Sequence, residues 1–296
     1  MDVDSGRAVA TTAPSSDRRR SFAALYEHWE RHQWSPLAVD FSVDAATFAG
    51  LDEGTRDRLV WVYAHRFQAE FNVAELLAYF LLAAPDYDVR LLLATQVADE
   101  YRHIESVLRV YSEVFGFEGG IAEVKPHADA MLDPVAAGLY AVLDEVVREL
   151  ETKRDEDTFL RAVLAYHVIA EGSIGRANQG FVATQLDRLG PFPGLVEAQR
   201  LAVRDERRHL GIGVMYARHR LLAGGQGGER AAAVLREVVD GFRALGAGML
   251  ENLDPDLGGE FVDGYGAAPA EMWLEVLRQF DLRLQAIGYT DARLAS

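Results

Sequence analysis

The sequence is dominated by four helical patterns of about thirty residues each, which follow one another along the chain. Each ends at a proline or a glycine, the residues that most often terminate helices. Apolar side chains recur with helical spacing in all four, and no segment shows the alternation typical of a strand. Long helices joined by short connections predict an all-α fold built on a four-helix bundle. The four patterns cover residues 55–84, 86–115, 155–189 and 194–223.

The segment before the bundle has a different character. Residues 1–20 are rich in Ala, Ser, Thr and Asp, and they predict a disordered N-terminal tail. A short helix is predicted over residues 21–33. Residues 34–44 are predicted to form an extended connection, because Pro36 disfavours helix in the residue before it.

Three further helices are predicted outside the four long ones. Asp133 and Pro134 provide an N-cap followed by proline at the first helical position, so a helix is expected from there to about Lys153. The other two are expected near the C-terminus. The predicted organisation is a tail over 1–20 and a single helical domain over 21–296, with the bundle at about 55–223 and accessory helices at about 229–253 and 269–288.

The composition argues against several classes of protein. The formal net charge of −16 repels nucleic-acid phosphates and anionic lipid headgroups, so neither nucleic acid nor membrane is an expected partner. There is no cysteine, which excludes disulfides, thiolate metal sites and a cysteine nucleophile. The N-terminus lacks the apolar run of a secretory signal, and the longest apolar stretch, 73–84, is too short to span a bilayer. We therefore expect a cytoplasmic protein.

Two near-identical pentapeptides lie inside the second and fourth long helices. Each contains Glu-x-x-His, and residues at i and i+3 share one helix face, so both side chains reach the same metal ion. A neutral nitrogen combined with a charged oxygen suits iron or manganese better than magnesium or calcium. The two pentapeptides are Asp99-Glu100-Tyr101-Arg102-His103 and Asp205-Glu206-Arg207-Arg208-His209.

A glutamate interrupts the apolar face of each of the other two long helices. Glu70 precedes Glu100 by 30 residues and Glu171 precedes Glu206 by 35, so each pair spans one helical hairpin. A lone Glu-x-x-His is usually a solvated helix face, but four buried carboxylates need the charge of two divalent metals. Glu75 lies on another face of its helix and is expected to face solvent. The predicted metal ligands are Glu70, Glu100, His103, Glu171, Glu206 and His209.

Other polar residues are expected to support these ligands. Asp99 and Asp205 are predicted to accept hydrogen bonds from the ligand histidines across the bundle, with Arg102 and Arg208 either paired to them or exposed. His167, one turn before the third ligand glutamate, is expected beside the metals without binding them. Glycines next to the ligands predict room for a substrate, a local helix distortion or close helix packing. These glycines are Gly172, Gly175, Gly211 and Gly213.

This ligand pattern resembles the ferritin-like di-metal carboxylate superfamily, and it is most similar to the ribonucleotide reductase small subunit and the R2-like ligand-binding oxidases. The similarity covers roughly residues 34–222 and includes the Trp-x-Pro-x-x-Val-Asp segment that begins at Trp34. By this resemblance Trp34, Asp205 and His103 correspond to an electron route to the metal in the reductase. The resemblance implies an Fe/Fe or Mn/Fe pair with dioxygen as co-substrate.

The sequence also departs from these relatives. Val107 stands where reductases carry the radical tyrosine. Tyr166 matches a tyrosine of the R2-like oxidases that becomes crosslinked to a valine shortly after the first glutamate, but Asn72 and Val73 stand in that region here. Tyr166 is therefore predicted to be either a redox-active catalytic residue or a core tyrosine. Arylamine N-oxygenases have an additional ligand histidine where this chain has Leu201-Ala202.

The leading functional hypothesis is a dioxygen-dependent di-metal oxidase or monooxygenase. It would oxidise a C–H or N–H bond of a small organic substrate with electrons from an external donor. The alternatives are an amine N-oxygenase, a radical-generating small subunit that serves a larger catalytic partner, and a non-enzymatic iron-binding bundle. By family resemblance the protein is expected to be a homodimer.

Overall fold

The structure is a computed structural model that describes residues 16–251 and 266–289. All regular structure in these ranges is helical, which confirms the predicted all-α class. In chain order the helices are α1 (Ser16–Arg31), α2 (Ser42–Ala49), α3 (Glu53–Ala83), α4 (Tyr87–Val110), α5 (Ile121–Ala130), α6 (Pro134–Thr152), α7 (Glu156–Val163), α8 (Arg176–Leu189), α9 (Pro193–Leu221), α10 (Gly225–Glu251) and α11 (Pro269–Ile287). A 3-10 turn over Pro36–Ala38 follows α1, a π-helical turn over Tyr111–Phe115 extends α4, and a π-helical segment over Leu164–Gly175 joins α7 to α8.

Local sequence fixes where the long helices begin and end. Asp52 accepts a hydrogen bond from the backbone N–H of Thr55 at 3.0 Å, and Asp86 accepts one from Val89 at 3.0 Å. These N-caps satisfy amide groups that have no partner inside the helix, at α3 and α4 respectively. Gly116 ends the extension of α4 with φ of 83°, a left-handed conformation that glycine adopts without strain.

Two apolar clusters form the core of the bundle, one towards each end. We call the cluster that contains Phe67 and Ala74 of α3 cluster 1, and the cluster that begins at Leu76 of α3 cluster 2. Along α4 the order is reversed, since cluster 2 extends to Leu93 and cluster 1 begins at Ile104. The continuous unit α7–α8 follows the order of α4, and α9 follows the order of α3. Helix α3 is therefore antiparallel to α4, and α9 is antiparallel to α7–α8, with a layer between the clusters at mid-bundle.

The remaining helices cover the bundle. Helix α1 packs on α4 and α9, and α6 packs on α3 and on the π-helical segment. Helix α10 packs on α7 and α9, while α11 contacts α8, α9 and the π-helical segment. Among the described residues, none of the helices combines the length and apolar character needed to cross a bilayer.

Two helices correct the sequence analysis. Helix α2 begins inside the stretch predicted to be extended. Its Asp44 is fully buried and accepts hydrogen bonds from the backbone N–H groups of Gly194 and Leu195 at 2.9 and 2.8 Å, and these contacts hold α2 against α9. Asp44 thereby caps the start of α9 across 150 residues of sequence, which no local pattern reveals. Helix α5 lies in a predicted loop and contains Pro126, and its buried Val124 packs into the core.

The helix boundaries differ from the predictions by a few residues. Residues 16–20, assigned to the disordered tail, form the start of α1, and the rest of that tail lies outside the described residues. Helix α10 begins four residues before the predicted start at 229, and its predicted last residues, 252 and 253, also lie outside the described ranges.

Candidate metal centre

The long helices bring the six predicted ligands together in the layer between the two apolar clusters. Helix α3 contributes Glu70, α4 contributes Glu100 and His103, the π-helical segment contributes Glu171, and α9 contributes Glu206 and His209. Their candidate ligand atoms form two groups, each within 4.8 Å, and both groups contain Glu100 and Glu206. The first group adds Glu70 and His103, and the second adds Glu171 and His209.

Each histidine directs one ring nitrogen at the carboxylates. Nδ1 of His103 lies 3.2 Å from Glu70 Oε2, and 3.4 Å from both Glu100 Oε2 and Glu206 Oε1. Nδ1 of His209 lies 3.0 Å from Glu100 Oε1 and 3.7 Å from Glu206 Oε2. The geometry therefore has the form of two metal positions that share the carboxylates of Glu100 and Glu206.

The four glutamates concentrate negative charge in the ligand cluster, which favours the binding of protons or cations there. Burial and the carboxylates of Glu206 and Glu100 raise the pKa of Glu171 well above its usual value. Burial opposes protonation of His103 and His209, but the neighbouring glutamates raise the pKa of both rings well above the usual range. Protons on these groups offset part of the carboxylate charge, and divalent cations would displace them on binding.

Several possible ligand atoms in this cluster have no hydrogen-bond partner, which fits the binding of metal ions. In the described part of the chain, Glu100 Oε2, Glu171 Oε2 and His209 Nδ1 are buried and make no hydrogen bond, because the 3.0 Å approach of His209 Nδ1 to Glu100 Oε1 lacks hydrogen-bond geometry. Buried polar atoms are normally satisfied, so three such atoms in one cluster call for a ligand. Imidazole nitrogens with carboxylate oxygens suit iron and manganese.

The outer nitrogen of each histidine faces an aspartate from the opposite motif. Nε2 of His209 lies 3.1 Å from Asp99 Oδ2, and Nε2 of His103 lies 3.4 Å from Asp205 Oδ2. Such acceptors hold a ligating ring in one orientation. Burial opposes ionisation of Asp99, but hydrogen bonds from His209 and Arg208 hold the pKa of this carboxyl well below its usual range.

The side chains around these aspartates are also paired. Nε1 of Trp34 donates to Asp205 Oδ2 at 2.6 Å. Arg102 Nη1 donates to Asp99 Oδ1 at 2.8 Å and lies 3.5 Å from Asp205 Oδ2, while Arg208 Nη2 donates to Asp99 Oδ2 at 2.6 Å. Of the two alternatives left open for the arginines, the structure shows pairing with the aspartates.

Two participants were missed by the sequence analysis. Gln96, one helical turn before the first ligand glutamate of α4, donates to Glu171 Oε1 at 2.8 Å and accepts from His167 Nε2 at 3.0 Å. Burial lowers the pKa of His167 to about 3, so the ring is neutral, and it belongs to neither ligand group. Trp29 on α1 donates from Nε1 to Asp99 Oδ1 at 2.9 Å. The i, i+4 spacing from Glu100 could have identified the glutamine, whereas the tryptophan lies on a helix distant in sequence.

The glycines near the ligands differ in their roles: Gly175 lines a cavity beside the ligands, whereas Gly172 and Gly213 permit close packing. A Cβ at Gly213 would lie 2.3 Å from the Cβ of His167, and one at Gly172 would lie 2.7 Å from the His167 carbonyl oxygen. Both positions therefore allow close packing around the π-helical segment, a distortion common at functional sites. Gly211 is different, because a Cβ there would meet Leu25 at an ordinary 3.4 Å.

Tyr166 lies beside the centre as a fully buried phenol. Its hydroxyl donates to the carbonyl oxygen of Val73 at 3.1 Å. Burial and the carboxylate of Glu171 raise the pKa of Tyr166 well above its usual value, so the hydroxyl keeps its proton. Asn72, two residues after the first ligand glutamate, donates to the Gln68 carbonyl oxygen at 2.7 Å.

A cavity of about 610 Å³ adjoins the ligand cluster. The carboxylates of Glu70, Glu171 and Glu206 line part of it, and most of the rest is apolar. A space of this size and character is large enough for a small organic molecule. Its apolar walls come from α3, α6, the π-helical segment, α10 and α11, and include Val73, Leu143, Ile174, Val238, Phe242 and Trp273.

Comparisons with known proteins identify the fold. No protein-family model matches the chain. A single-substitution variant of an R2-like ligand-binding oxidase with an anaerobically reconstituted Mn/Fe cofactor is 21% identical, with a TM-score of 0.75 over 91% of this chain and 94% of that one. A second variant with the same kind of cofactor is 22% identical, with a TM-score of 0.74 over the same fractions.

A further solved structure shows the same likeness. The R2-like ligand-binding oxidase from Sulfolobus acidocaldarius is 17% identical, with a TM-score of 0.70 over 92% of this chain and 90% of that one. These similarities confirm that the chain has the ferritin-like helical fold of the R2-like oxidases.

Proposed function

We propose that this protein is a dioxygen-dependent two-metal oxidase that oxidises a C–H bond of a small apolar molecule. The observation that carries the proposal is the pair of overlapping ligand groups that share Glu100 and Glu206. Two histidines and four glutamates supply the donors that iron and manganese prefer. The proteins of similar fold contain Mn/Fe, and we propose an Fe/Fe or Mn/Fe pair here.

The protein's own residues would hold and shield the metals. When bound, the metal pair supplies the redox chemistry with dioxygen. Glu70 and His103 would hold one ion, Glu171 and His209 would hold the other, and Glu100 and Glu206 belong to both ligand groups. The apolar clusters on both sides of the layer would keep water away, and the aspartates that contact each Nε2 would fix the orientation of the two rings with Nδ1 towards the carboxylates.

The cavity favours an apolar substrate. Binding there would rest on burial of hydrocarbon surface, and a bound molecule would present a bond to the side of the centre that carries Glu70, Glu171 and Glu206. Leu201 and Ala202 are buried and apolar, so they support no additional ligand of the N-oxygenase type. Val107 is likewise a buried apolar residue where a reductase would carry its radical tyrosine. These features favour C–H oxidation over the alternative reactions. We propose that an external donor supplies the electrons. We also propose that the protein is a homodimer, which sedimentation would test.

Metal content and oxygen uptake test the proposal together. The chain would be loaded anaerobically with iron and manganese, desalted, analysed for metal and then exposed to oxygen. We expect about two metals per chain and oxygen consumption. Glu70→Ala should reduce both, whereas Glu75→Ala is the matched control, because Glu75 is exposed on the same helix and accepts from the Tyr101 hydroxyl at 2.9 Å.

Two results would count against the proposal. Folded wild-type protein without bound metal would refute the metal centre. Two bound metals that do not react with oxygen would leave a binding bundle and refute the oxidase. Once oxygen uptake is established, apolar alkyl compounds and arylamines would be compared for oxygenated products by mass spectrometry. Products from the arylamines alone would replace C–H oxidation with N-oxygenation.

A further inference from the structure

Two tryptophans reach the metal layer by similar paths from opposite motifs. Trp34 donates to Asp205 at 2.6 Å, and Asp205 lies 3.4 Å from Nε2 of His103. Trp29 donates to Asp99 Oδ1 at 2.9 Å, and the other oxygen of Asp99 lies 3.1 Å from Nε2 of His209. Each path consists of an indole N–H, a carboxylate and a ligand imidazole, and each ends at a different metal position.

The Trp29 path connects the surface with the buried centre. Asp99 and His209 are fully buried, whereas Trp29 is only partly buried on α1, the helix that lies over α4 and α9. The ring of Tyr26 lies 6.0 Å from the Trp29 ring, and the Tyr26 side chain is partly exposed. Two oxidisable aromatic side chains, Tyr26 and Trp29, thus lie between the protein surface and Asp99.

We infer that Trp29 is a second redox residue, which passes single electrons to the metal ion bound by His209. This inference rests on the proposed function. In each transfer the oxidised metal centre gains one electron and the indole of Trp29 loses one, while the N–H proton stays in its hydrogen bond to Asp99. An external one-electron donor, such as a reduced iron–sulfur protein or flavin, then returns one electron to the indole. No covalent bond forms or breaks.

The carboxylate lowers the electrostatic cost of this transfer, although Arg102 and Arg208, which also pair with Asp99, offset part of its charge. The negative charge of Asp99 lies in a hydrogen bond to the indole, so it stabilises the positive charge that the ring carries after losing an electron. The same residue fixes the orientation of His209 through its other oxygen. Arg102 donates to Asp99 Oδ1 and also lies near Asp205, so one cation holds both carboxylates in place.

Electron paramagnetic resonance of freeze-quenched samples tests the inference. Protein loaded anaerobically with ferrous iron would be mixed with oxygen in the absence of any donor, so that an electron lost from an indole is not replaced. Wild-type protein should show indole radicals, and Trp34→Phe should keep the radical that resides on Trp29. The Trp29→Phe/Trp34→Phe double variant should lose it. Ring-deuterated tryptophan would assign the signal to an indole, and Trp61→Phe, which alters a ring next to His65, is the matched control.

The outcomes separate this inference from the proposed function. If Trp34→Phe binds two metals and consumes oxygen without any indole radical, Trp29 has no redox role, although the oxidase stands. An indole radical that persists in the double variant would likewise show that the radical does not reside on Trp29. If wild-type protein binds no metal or ignores oxygen, both proposals fall. If Trp34→Phe does not fold, the test is the indole-radical yield of the single variant Trp29→Phe. This yield should be lower than that of Trp61→Phe, and equal yields would overturn the inference.

Discussion

Substitution of Gly213 by alanine should destabilise the protein through its effect on His167. The added Cβ would lie 2.3 Å from the His167 Cβ, whereas carbon atoms pack at about 3.5–4.0 Å. Inserting a methyl group into a packed core costs about 1–3 kcal/mol. Alanine also gains about 1 kcal/mol over glycine inside a helix, which offsets part of this cost.

Gly211→Ala is the matched control, because it lies two residues earlier on α9 and its added Cβ would only touch Leu25 at 3.4 Å. It receives the same gain in helix propensity, so the difference between the two variants isolates the overpacking, about 1–3 kcal/mol in the free energy of unfolding. At about 2–4 °C per kcal/mol, this is a difference of several degrees in Tm.

Differential scanning calorimetry of the metal-free variants measures this difference without a contribution from bound metal. We expect Gly211→Ala to be at least as stable as wild type and Gly213→Ala to be the less stable of the two. Gly213→Ala should also bind metal less tightly, since displacement of His167 disturbs Gln96, which hydrogen-bonds to Glu171. Equal Tm values for the two variants would refute the packing argument at the π-helical segment.

Three further predictions concern residues outside the ligand set. Asp133→Asn keeps an N-cap but removes the charge 2.7 Å from His65 Nε2, and should cost about 1–3 kcal/mol at neutral pH. Burial opposes ionisation of Asp133, but the His65 hydrogen bond lowers the pKa of this carboxyl. The stabilisation by the Asp133 charge is therefore present above the ordinary pKa of about 4 and disappears as pH falls through the lower pKa of the folded state. In urea unfolding, the stability difference between Asp133→Asn and wild type should be smaller at low pH than at pH 7, and a constant difference would contradict this. Asp44→Ala leaves two buried amides at the start of α9 without an acceptor and should lower stability by about 1–3 kcal/mol in urea unfolding, whereas unchanged stability would show that the cap is dispensable. Tyr166→Phe removes one hydrogen bond to Val73 and should cost about 1 kcal/mol with metal content unchanged, so loss of metal would show that the phenol supports the centre.

The long helices and the ligand cluster were accessible from sequence because their signals are local or repeated. Helical periodicity, capping aspartates and terminating prolines or glycines gave helices within a few residues of those observed. The spacing within Glu-x-x-His places both side chains on one helix face, and the matched hairpin lengths bring Glu70 and Glu171 to the same level. The charge argument then required all six groups to meet, and the structure brings them together.

The features that sequence did not reveal depend on contacts between distant elements. Helix α2 follows from the long-range capping contact of Asp44, and α5 contains a proline that the local pattern associates with a loop. Trp29 becomes part of the site only because α1 lies over the two motif helices. The glycines predicted a distortion or close packing near the ligands, but the extent of the π-helical segment and the approach of Gly213 to His167 involve two helices distant in sequence, which no local pattern reveals.

Anomalous diffraction from crystals of the metal-loaded protein tests the central claim most directly. Data collected at the iron and manganese absorption edges would locate each ion and identify it. We predict two peaks about 3.5–4 Å apart, as in other two-metal sites. Both should lie next to Glu100 and Glu206, one of them beside His103 and the other beside His209. The absence of peaks at these glutamates, or a single ion bound elsewhere in the chain, would contradict the two-metal centre.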